Sequence, residues 1–270
     1  MIKKNKIVAI QADRLDSMNI KTDTTILLAL EAQKRGFRIF CYETKNLSFI
    51  NGKVYALSKE VTFKINAKNF YTIKNIKKLD LSKVNYILMR QNPPFNMNYI
   101  TATFLLEKIS KKVRIINDPT SVRNIPEKLH SIEFLKLMPP TIFTKDIKEI
   151  EKFKKKYKKI VVKPTHGYGG KNILFIDSNL NRNKMSKYIK KHDYVMVQKF
   201  LPQIKYGDKR VFIIAGKIKG AIRRIPVKGS ILSNIGQGGR AVKTNLTKSE
   251  LHIAKIVAKN LKKNKIVFAG

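Results

Sequence analysis

The segment Thr165-His166-Gly167-Tyr168-Gly169-Gly170 stands between two apolar runs, Ile160–Pro164 and Asn172–Ile176. Glycines in such a loop let backbone N–H groups approach an anion with no Cβ in the way, and they permit left-handed backbone angles. The spacing to a Lys-Ser/Thr pair is wrong for a P-loop, so the segment reads as an anion cradle of another kind or as a plain glycine-rich hairpin. Lys163 favours the cradle, because a lysine in an Ile-Val-Val run needs a partner if it points inward. If it faces water it is an ordinary edge lysine. Arg210, Arg223, Arg224 and Arg240 fall in the C-terminal third of the chain. Arginine forks match carboxylates and phosphates bidentately, although surface arginine is the plainer reading of any one of them. Gly229–Arg240 holds four glycines and no periodicity. It reads as a lid that would keep water from a reactive intermediate, or as a simple surface connection.

Other chemistry is poorly represented. His130, His166, His192 and His252 have no metal-ligand spacing, and only His166, inside the glycine loop, is placed to meet a ligand. No Ser-His-Asp arrangement is readable. The single cysteine, Cys41, lies in an apolar run and reads as a small core residue. One cysteine excludes a disulfide framework and suits a reducing compartment.

The elements that would position these residues follow in a clear order. Ile7–Ile10 reads as a buried strand, a helix capped at Thr22 or Asp23 ends at Gly36, and Phe37–Tyr42 is a second strand. Strand–helix–strand implies parallel pairing. The loop after the first strand lacks glycine, so this is no typical dinucleotide site. Asn51-Gly52 marks a hairpin into Val54 and Ala56; Val84–Met89 is a strand, Met97–Ile109 a helix, Val113–Ile116 a strand and Pro126–Leu137 a helix. Pro139-Pro140 interrupts the pattern. A small α+β module then runs through Ile160–Lys163 and Tyr194–Val197, with a helix near Lys184–Lys190. The runs Val211–Ala215 and Ile218–Ile225 pair across Gly216-Lys217, and Thr247-Lys248-Ser249-Glu250 is a capping box opening a helix to about Lys263.

The chain of 270 residues carries 57 Lys and Arg against 18 Asp and Glu, a net charge of +39, yet only 28% of it is charged. The imbalance comes from missing acids as much as from added bases. Such a surface attracts polyanions non-specifically. The basic residues are spread along the whole chain, so biased composition explains them better than a nucleic-acid site. No signal h-region follows the basic N-terminus and no apolar stretch reaches 18 residues. A soluble, cytoplasmic protein without membrane contact is the expectation.

Lys163-Pro164 with Gly167–Gly170, then Met196-Val197-Gln198-Lys199-Phe200-Leu201-Pro202, then Gly207-Asp208-Lys209-Arg210 resemble the ATP-grasp superfamily, and within it the bacterial glutathione synthetases. The likeness extends to Asn19–Asp23, Leu88-Met89-Arg90 with Pro93-Pro94, Pro126–Leu129, Arg224-Ile225-Pro226, Ser233-Asn234 and Gly238-Gly239-Arg240. It departs at Asn92 and Asn96, where the family usually carries acids.

The resemblance implies an α/β chain: an N-terminal Rossmann-like, pre-ATP-grasp substrate domain over 1–120, followed by an incomplete ATP-grasp pair of α+β subdomains, the small lid subdomain over 121–200 and the large one over 201–270. It implies ligation of glycine to γ-glutamylcysteine with ATP, by way of an acyl phosphate. Lys128 and Lys163 would hold phosphates under the Gly167, Tyr168, Gly169 and Gly170 loop, while Gln198, Lys199, Phe200 and Leu201 would meet adenine. Asp208 would face the nucleotide. Arg210 and Arg224 would be catalytic and, with Asn234 and Arg240, would hold substrate. In the family, Mg²⁺ ligands lie past the position of Gly270, and beyond Phe200 the only acids here are Asp208 and Glu250. The expectation is therefore of no metal ligands within the chain and of impaired turnover. Homo-oligomerisation is allowed. Another ATP-grasp carboxylate–amine ligase, or a polyanion-binding protein, is the alternative.

Overall fold

The computed structural model describes residues 6–20, 22–65 and 69–270. They form two compact units, one running to Asn124 and taking in Lys263–Phe268, the other comprising Ile125–Lys262 with Ala269–Gly270.

In the first unit, β1 (Ile7–Gln11), α1 (Thr24–Lys34) and β2 (Arg38–Tyr42) make the strand–helix–strand that the apolar pattern predicts, with β1 and β2 parallel. Asp23 caps α1, its carboxylate accepting from the Thr25 amide at 2.8 Å. β3 (Leu47–Ile50) and β4 (Lys53–Phe63) turn at Asn51-Gly52, both at positive φ, which is the backbone an Asn-Gly hairpin requires. β5 (Tyr71–Asp80) runs back along β4, and β6 (Tyr86–Met89) joins β1 in parallel. α2 (Met97–Glu107), β7 (Arg114–Ile116) and α3 (Pro119–Asn124) complete the unit. The strand order is β3-β4-β2-β1-β6-β7, with β5 on the far side of β4. β1 is central and both sheet faces are packed, so it reads as a continuous apolar run. Cys41 is buried among Ile10, Ile26 and Ile39, which pushes its thiol pKa up to about 12 and leaves it chemically inert.

The second unit begins with α4 (Glu127–His130). The helix expected over Pro126–Leu137 is shorter than its pattern suggests. A 3-10 turn takes over at Ser131–Leu137, broken at Phe134, and the Ser131 hydroxyl donates back to the Lys128 carbonyl at 2.5 Å. Such local bonds compete with helix continuation. β8 (Thr141–Thr144), α5 (Ile147–Tyr157), β9 (Ile160–Pro164), β10 (Leu174–Ile176), α6 (Arg182–His192) and β11 (Val195–Lys199) build an antiparallel sheet in the order β10-β9-β11-β8. One face is sealed: Ile150 and Phe153 of α5 and Met185 of α6 pack on Ile160, Val162, Val195 and Val197. Side chains alternate across a strand, so Val161, Lys163, Met196 and Gln198 are left for the other face.

A second sheet holds β12 (Asp208–Ile214), β13 (Lys217–Ile225) and β14 (Arg240–Thr244), in the order β14-β13-β12. α7 (Lys248–Lys263) follows, and the two-residue β15 (Phe268–Ala269) lies next to β12. The capping box forms as read: the Thr247 amide donates to Glu250 Oε2 at 2.7 Å, and the Glu250 amide donates to Thr247 Oγ1 at 3.3 Å. Thr247→Ala is expected to cost about 1 kcal/mol, the usual value of an N-cap, read as a lower urea midpoint with an unchanged slope. Among the described residues, no helix is long and apolar enough to cross a membrane.

Candidate active site

A pocket of about 320 Å³ lies entirely within the second unit, walled by β9 and β11, the loop 167–171, the start of β12, Arg224 and residues 231–234. The sheet's open face supplies its floor. Lys163 stands on that face beside Gln198, and its ammonium donates to Gln198 Oε1 at 2.6 Å. This answers the question the sequence left open about Lys163. It points into a pocket, is half-buried, and meets a neutral amide. From α4, Lys128 reaches the same place and donates to the Gly167 carbonyl.

The pocket is electrostatically poised for an anion. Burial holds the Lys163 ammonium below the usual lysine range, with repulsion from Lys128 adding to it and Glu127 partly offsetting it. Burial likewise lowers Lys128. Two desolvated cations whose hydrogen bonds run to neutral oxygens are costly until a polyanion arrives.

Opposite them stands an ion pair made by strand register. Asp208 and Arg224 are cross-strand partners on β12 and β13. Arg224 Nε donates to Asp208 Oδ1 at 2.9 Å and Nη2 donates to Oδ2, giving a bidentate fork. Burial alone would raise the Asp208 carboxyl, but Arg224 and the Ser233 hydroxyl outweigh it and hold it below the usual range. Gly207 permits this pairing. Its φ is +89°, and a Cβ there would lie 2.3 Å from the Arg224 carbonyl oxygen.

The two glycine-bearing loops meet over the pocket. Gln237 Nε2 donates to the Gly169 carbonyl at 3.3 Å, and a Cβ on Gly170 would fall 2.6 Å from Asn234 Oδ1. The 229–240 segment carries a 3-10 turn, Ile235–Gln237.

Of the residues singled out from the sequence, Lys128, Lys163, Gly167, Tyr168, Gly169, Gly170, Gln198, Lys199, Phe200, Leu201, Asp208, Arg224 and Asn234 line this pocket. Arg210 and Arg240 do not line it, and much of each is open to solvent. Arg210 still belongs to the same charge cluster, where partial burial and repulsion from Arg224 hold it below the usual arginine range while Glu127 and Asp208 attract it. Arg210 lies two residues along β12 from Asp208, roughly 7 Å further on at strand spacing. The pocket also has an apolar wall of Val161, Ile173, Ile204, Ile231 and Leu232, together with the polar Glu127, Lys171 and Ser233, none of which stands out in the sequence as a site residue. Strand alternation does place Val161 with Lys163, and Ser233 stands in the Ser233-Asn234 motif with a hydroxyl that reaches Asp208; Ile173, Ile204, Ile231 and Leu232 carry no chemical signature.

Two stretches match known families: residues 7–123 match the N-terminal domain of prokaryotic glutathione synthetase, and residues 127–270 match its ATP-grasp domain. The glutathione synthetase of Mesorhizobium japonicum is 39% identical over 267 residues, covering 97% of this chain and 85% of that protein. That of Agrobacterium fabrum is 38% identical over 272 residues, covering 99% and 85%. The chain belongs to the prokaryotic glutathione synthetase family. It is an ATP-dependent carboxylate–amine ligase of the glutathione synthetase type. Among solved structures, D-cycloserine synthetase DcsG superposes with a TM-score of 0.61 at 13% identity, covering 97% of this chain and 83% of that one. D-alanyl-alanine synthetase A from Vibrio cholerae gives 0.59 at 13%, covering 97% and 81%. These likenesses establish the ATP-grasp fold.

The glutathione synthetase family implies ATP and a divalent cation. The pocket fits ATP, with lysines for phosphates and an apolar slot for a base. The donor set does not fit a cation. Among the described residues there is no cluster of three or more His, Cys, Asp or Glu able to hold a metal. The pocket's acids are Glu127 and Asp208, and Asp208 is occupied by Arg224. Mg²⁺ takes hard oxygen ligands in a near-octahedral set, which these residues do not supply by themselves.

Proposed function

We propose that this chain joins glycine to γ-glutamylcysteine at the expense of ATP. The observation that carries the reading is the pair of half-buried lysines, Lys128 and Lys163, held only by neutral oxygens on one side of a pocket whose other end is apolar. Adenine would lie against Val161, Ile173, Phe200 and Leu201, alongside Gln198 and Lys199. The triphosphate would extend toward Lys163 and Lys128 beneath the Gly167–Gly170 loop. As phosphates take up the two ammonium groups, the desolvation cost of those lysines is repaid, so the site favours the charged ligand over its own empty state.

The chemistry proceeds in two steps. A carboxylate oxygen of γ-glutamylcysteine attacks the γ-phosphorus of ATP, the bond to the bridging oxygen breaks, and ADP leaves. The glycine amine then attacks the acyl phosphate carbon, expels phosphate, and loses a proton as the amide forms. Arg224, fixed by Asp208, would offset charge on the transferring phosphoryl group, as phosphoryl transfer depends on positioning and charge stabilisation. Arg210, Asn234 and Arg240 would hold the substrate or the acyl phosphate. The 229–240 segment, joined to the glycine loop through Gln237, would keep water from it.

The test is an assay of the purified 270-residue protein with ATP, Mg²⁺, γ-glutamylcysteine and glycine. The expected result is glutathione formed in step with phosphate release, at a low turnover, because the described residues supply no cation site of their own. Phosphate release that needs a different acid or amine would assign the chain another carboxylate–amine ligation. ATP that does not bind at Lys163 and Gln198 would overturn the site itself.

A further inference from the structure

β8, β11 and β9 lie side by side, and their register places Thr141 directly across from Gln198 on one side, with Lys163 diagonal to Gln198 on the other. The Thr141 hydroxyl donates to the Pro139 carbonyl at 2.7 Å. A carbonyl oxygen only accepts, so the one hydroxyl proton is committed there. What Thr141 Oγ1 has left to offer is a lone pair, and Gln198 Nε2 donates to it at 2.9 Å. An amide whose nitrogen is fixed in this way must present its oxygen at the other corner. That oxygen is the acceptor for Lys163, at 2.6 Å.

We propose that Thr141 is a positioning residue: through a single chain of hydrogen bonds it sets which way the Gln198 amide faces, and thereby holds the Lys163 ammonium toward the phosphate end of the pocket. Thr141 touches neither the nucleotide slot nor the reacting atoms in this reading. Its effect depends on direction. With Thr141 present, Lys163 meets an oxygen. Without it the amide can turn, and the lysine meets an NH₂ group, a donor facing a donor. Gln198 is buried and cannot exchange its partners for water.

The charged groups around Lys163 are known. Lys128 and Glu127 approach from α4, and Lys171, Lys199, Asp208 and Arg224 stand around the rest of the pocket. None of them can replace a fixed amide oxygen on β11. Loss of that oxygen should therefore make the protonated lysine less favourable and shift its titration further down.

The inference rests on the proposed nucleotide site, so its test carries one readout that needs no nucleotide. The rate at which acetic anhydride modifies Lys163, followed residue by residue with mass spectrometry across pH, reports the lysine's titration in the free protein. Thr141→Val is expected to move that profile to lower pH and to weaken binding of a non-hydrolysable ATP analogue about tenfold, with kcat at saturating ATP changed less than about threefold. Thr141→Ser, which keeps the hydroxyl, is expected to restore both within about twofold. In a Gln198→Leu background, Thr141→Val should add nothing to either readout. An unmoved modification profile, or a full additional loss in the Gln198→Leu background, overturns the proposal. A shifted profile in a protein that binds no ATP analogue would sustain the Thr141 relay and refute the nucleotide site. Thermal melts of each variant separate loss of fold from loss of position.

Discussion

Lys163→Met is expected to lower kcat/KM for ATP by roughly 10²- to 10³-fold while leaving the protein at least as stable as the parent. In the proposed reading the loss follows from removing one preorganised charge that would stabilise the transferring phosphoryl group; single donors of this kind are worth on the order of 3–4 kcal/mol. The retained stability follows from the same geometry. Lys163 is desolvated, is repelled by Lys128, and has a neutral amide as its partner. Methionine has a similar length and carries no charge to desolvate, so folding loses a cost and not a support. A steady-state assay beside a thermal melt checks both halves. A variant that loses activity and stability together would show Lys163 to be structural.

The pH dependence has a definite sign. The folded protein holds the Lys163 ammonium below its ordinary range, so between the folded and unfolded pKa values the unfolded chain binds more protons. Stability therefore rises with pH through that window, and below it the full cost of the buried charge is present. Lys163→Met removes this component. The variant's advantage should be largest near neutral pH and should shrink as pH climbs toward the ordinary lysine value. Nucleotide binding by the parent should weaken over the same alkaline window, as Lys163 loses its proton.

Much of this arrangement is legible in the amino-acid sequence alone. The β1–α1–β2 unit, the Asn51-Gly52 hairpin and the Thr247 capping box each depend on local chemistry, and each forms where the residues say it should. β5 was not legible. Its Thr72–Lys78 stretch is exposed and shows no apolar alternation; it is a strand because β4 beside it extends to Phe63 and supplies a ladder. That is a non-local cause, invisible to periodicity. The pocket shows the same division. Glycines, lysines and arginines announce themselves by type, and most of those singled out line it. Arg210 and Arg240 carry the same chemical signature but do not line it: β-strand register puts Arg224 across from Asp208 and Arg240 across from Ile225, while Arg210, further along the strand that carries Asp208, joins the same charge cluster without entering the pocket. Thr141 carried no signal at all. A threonine after two prolines becomes informative only when β8 is seen beside β11.

Arg224→Met is the second large effect, and it separates two roles of one side chain. Arg224 is nearly enclosed, with 13% of its side chain exposed, and its fork engages both oxygens of Asp208, which is 36% exposed. Removing it leaves Asp208 partly buried beside Ser233 without its bidentate partner, with Arg210 as a remaining cation within electrostatic reach. A fully buried pair broken in this way costs several kcal/mol, but solvent reaches Asp208, so about 1–2 kcal/mol is the expected loss. The loss should depend on pH. Asp208 is held below the usual carboxylate range, so its contribution is fully present above the ordinary aspartate pKa and disappears as pH falls through the lowered folded value. Parent and variant should therefore converge in stability in acid. On activity, kcat should fall about 10²-fold or more, with a smaller change in KM for ATP, if the guanidinium acts on charge that develops during phosphoryl transfer. Arg224→Lys is the discriminating control, because it keeps the charge and loses the bidentate fork. It should recover part of the stability and little of kcat. If Arg224→Met instead retained kcat within about threefold and lost only its acid-sensitive stability, the Asp208–Arg224 pair would be a strut of the β12–β13 hairpin, and the charge stabilisation would have to come from the two lysines alone.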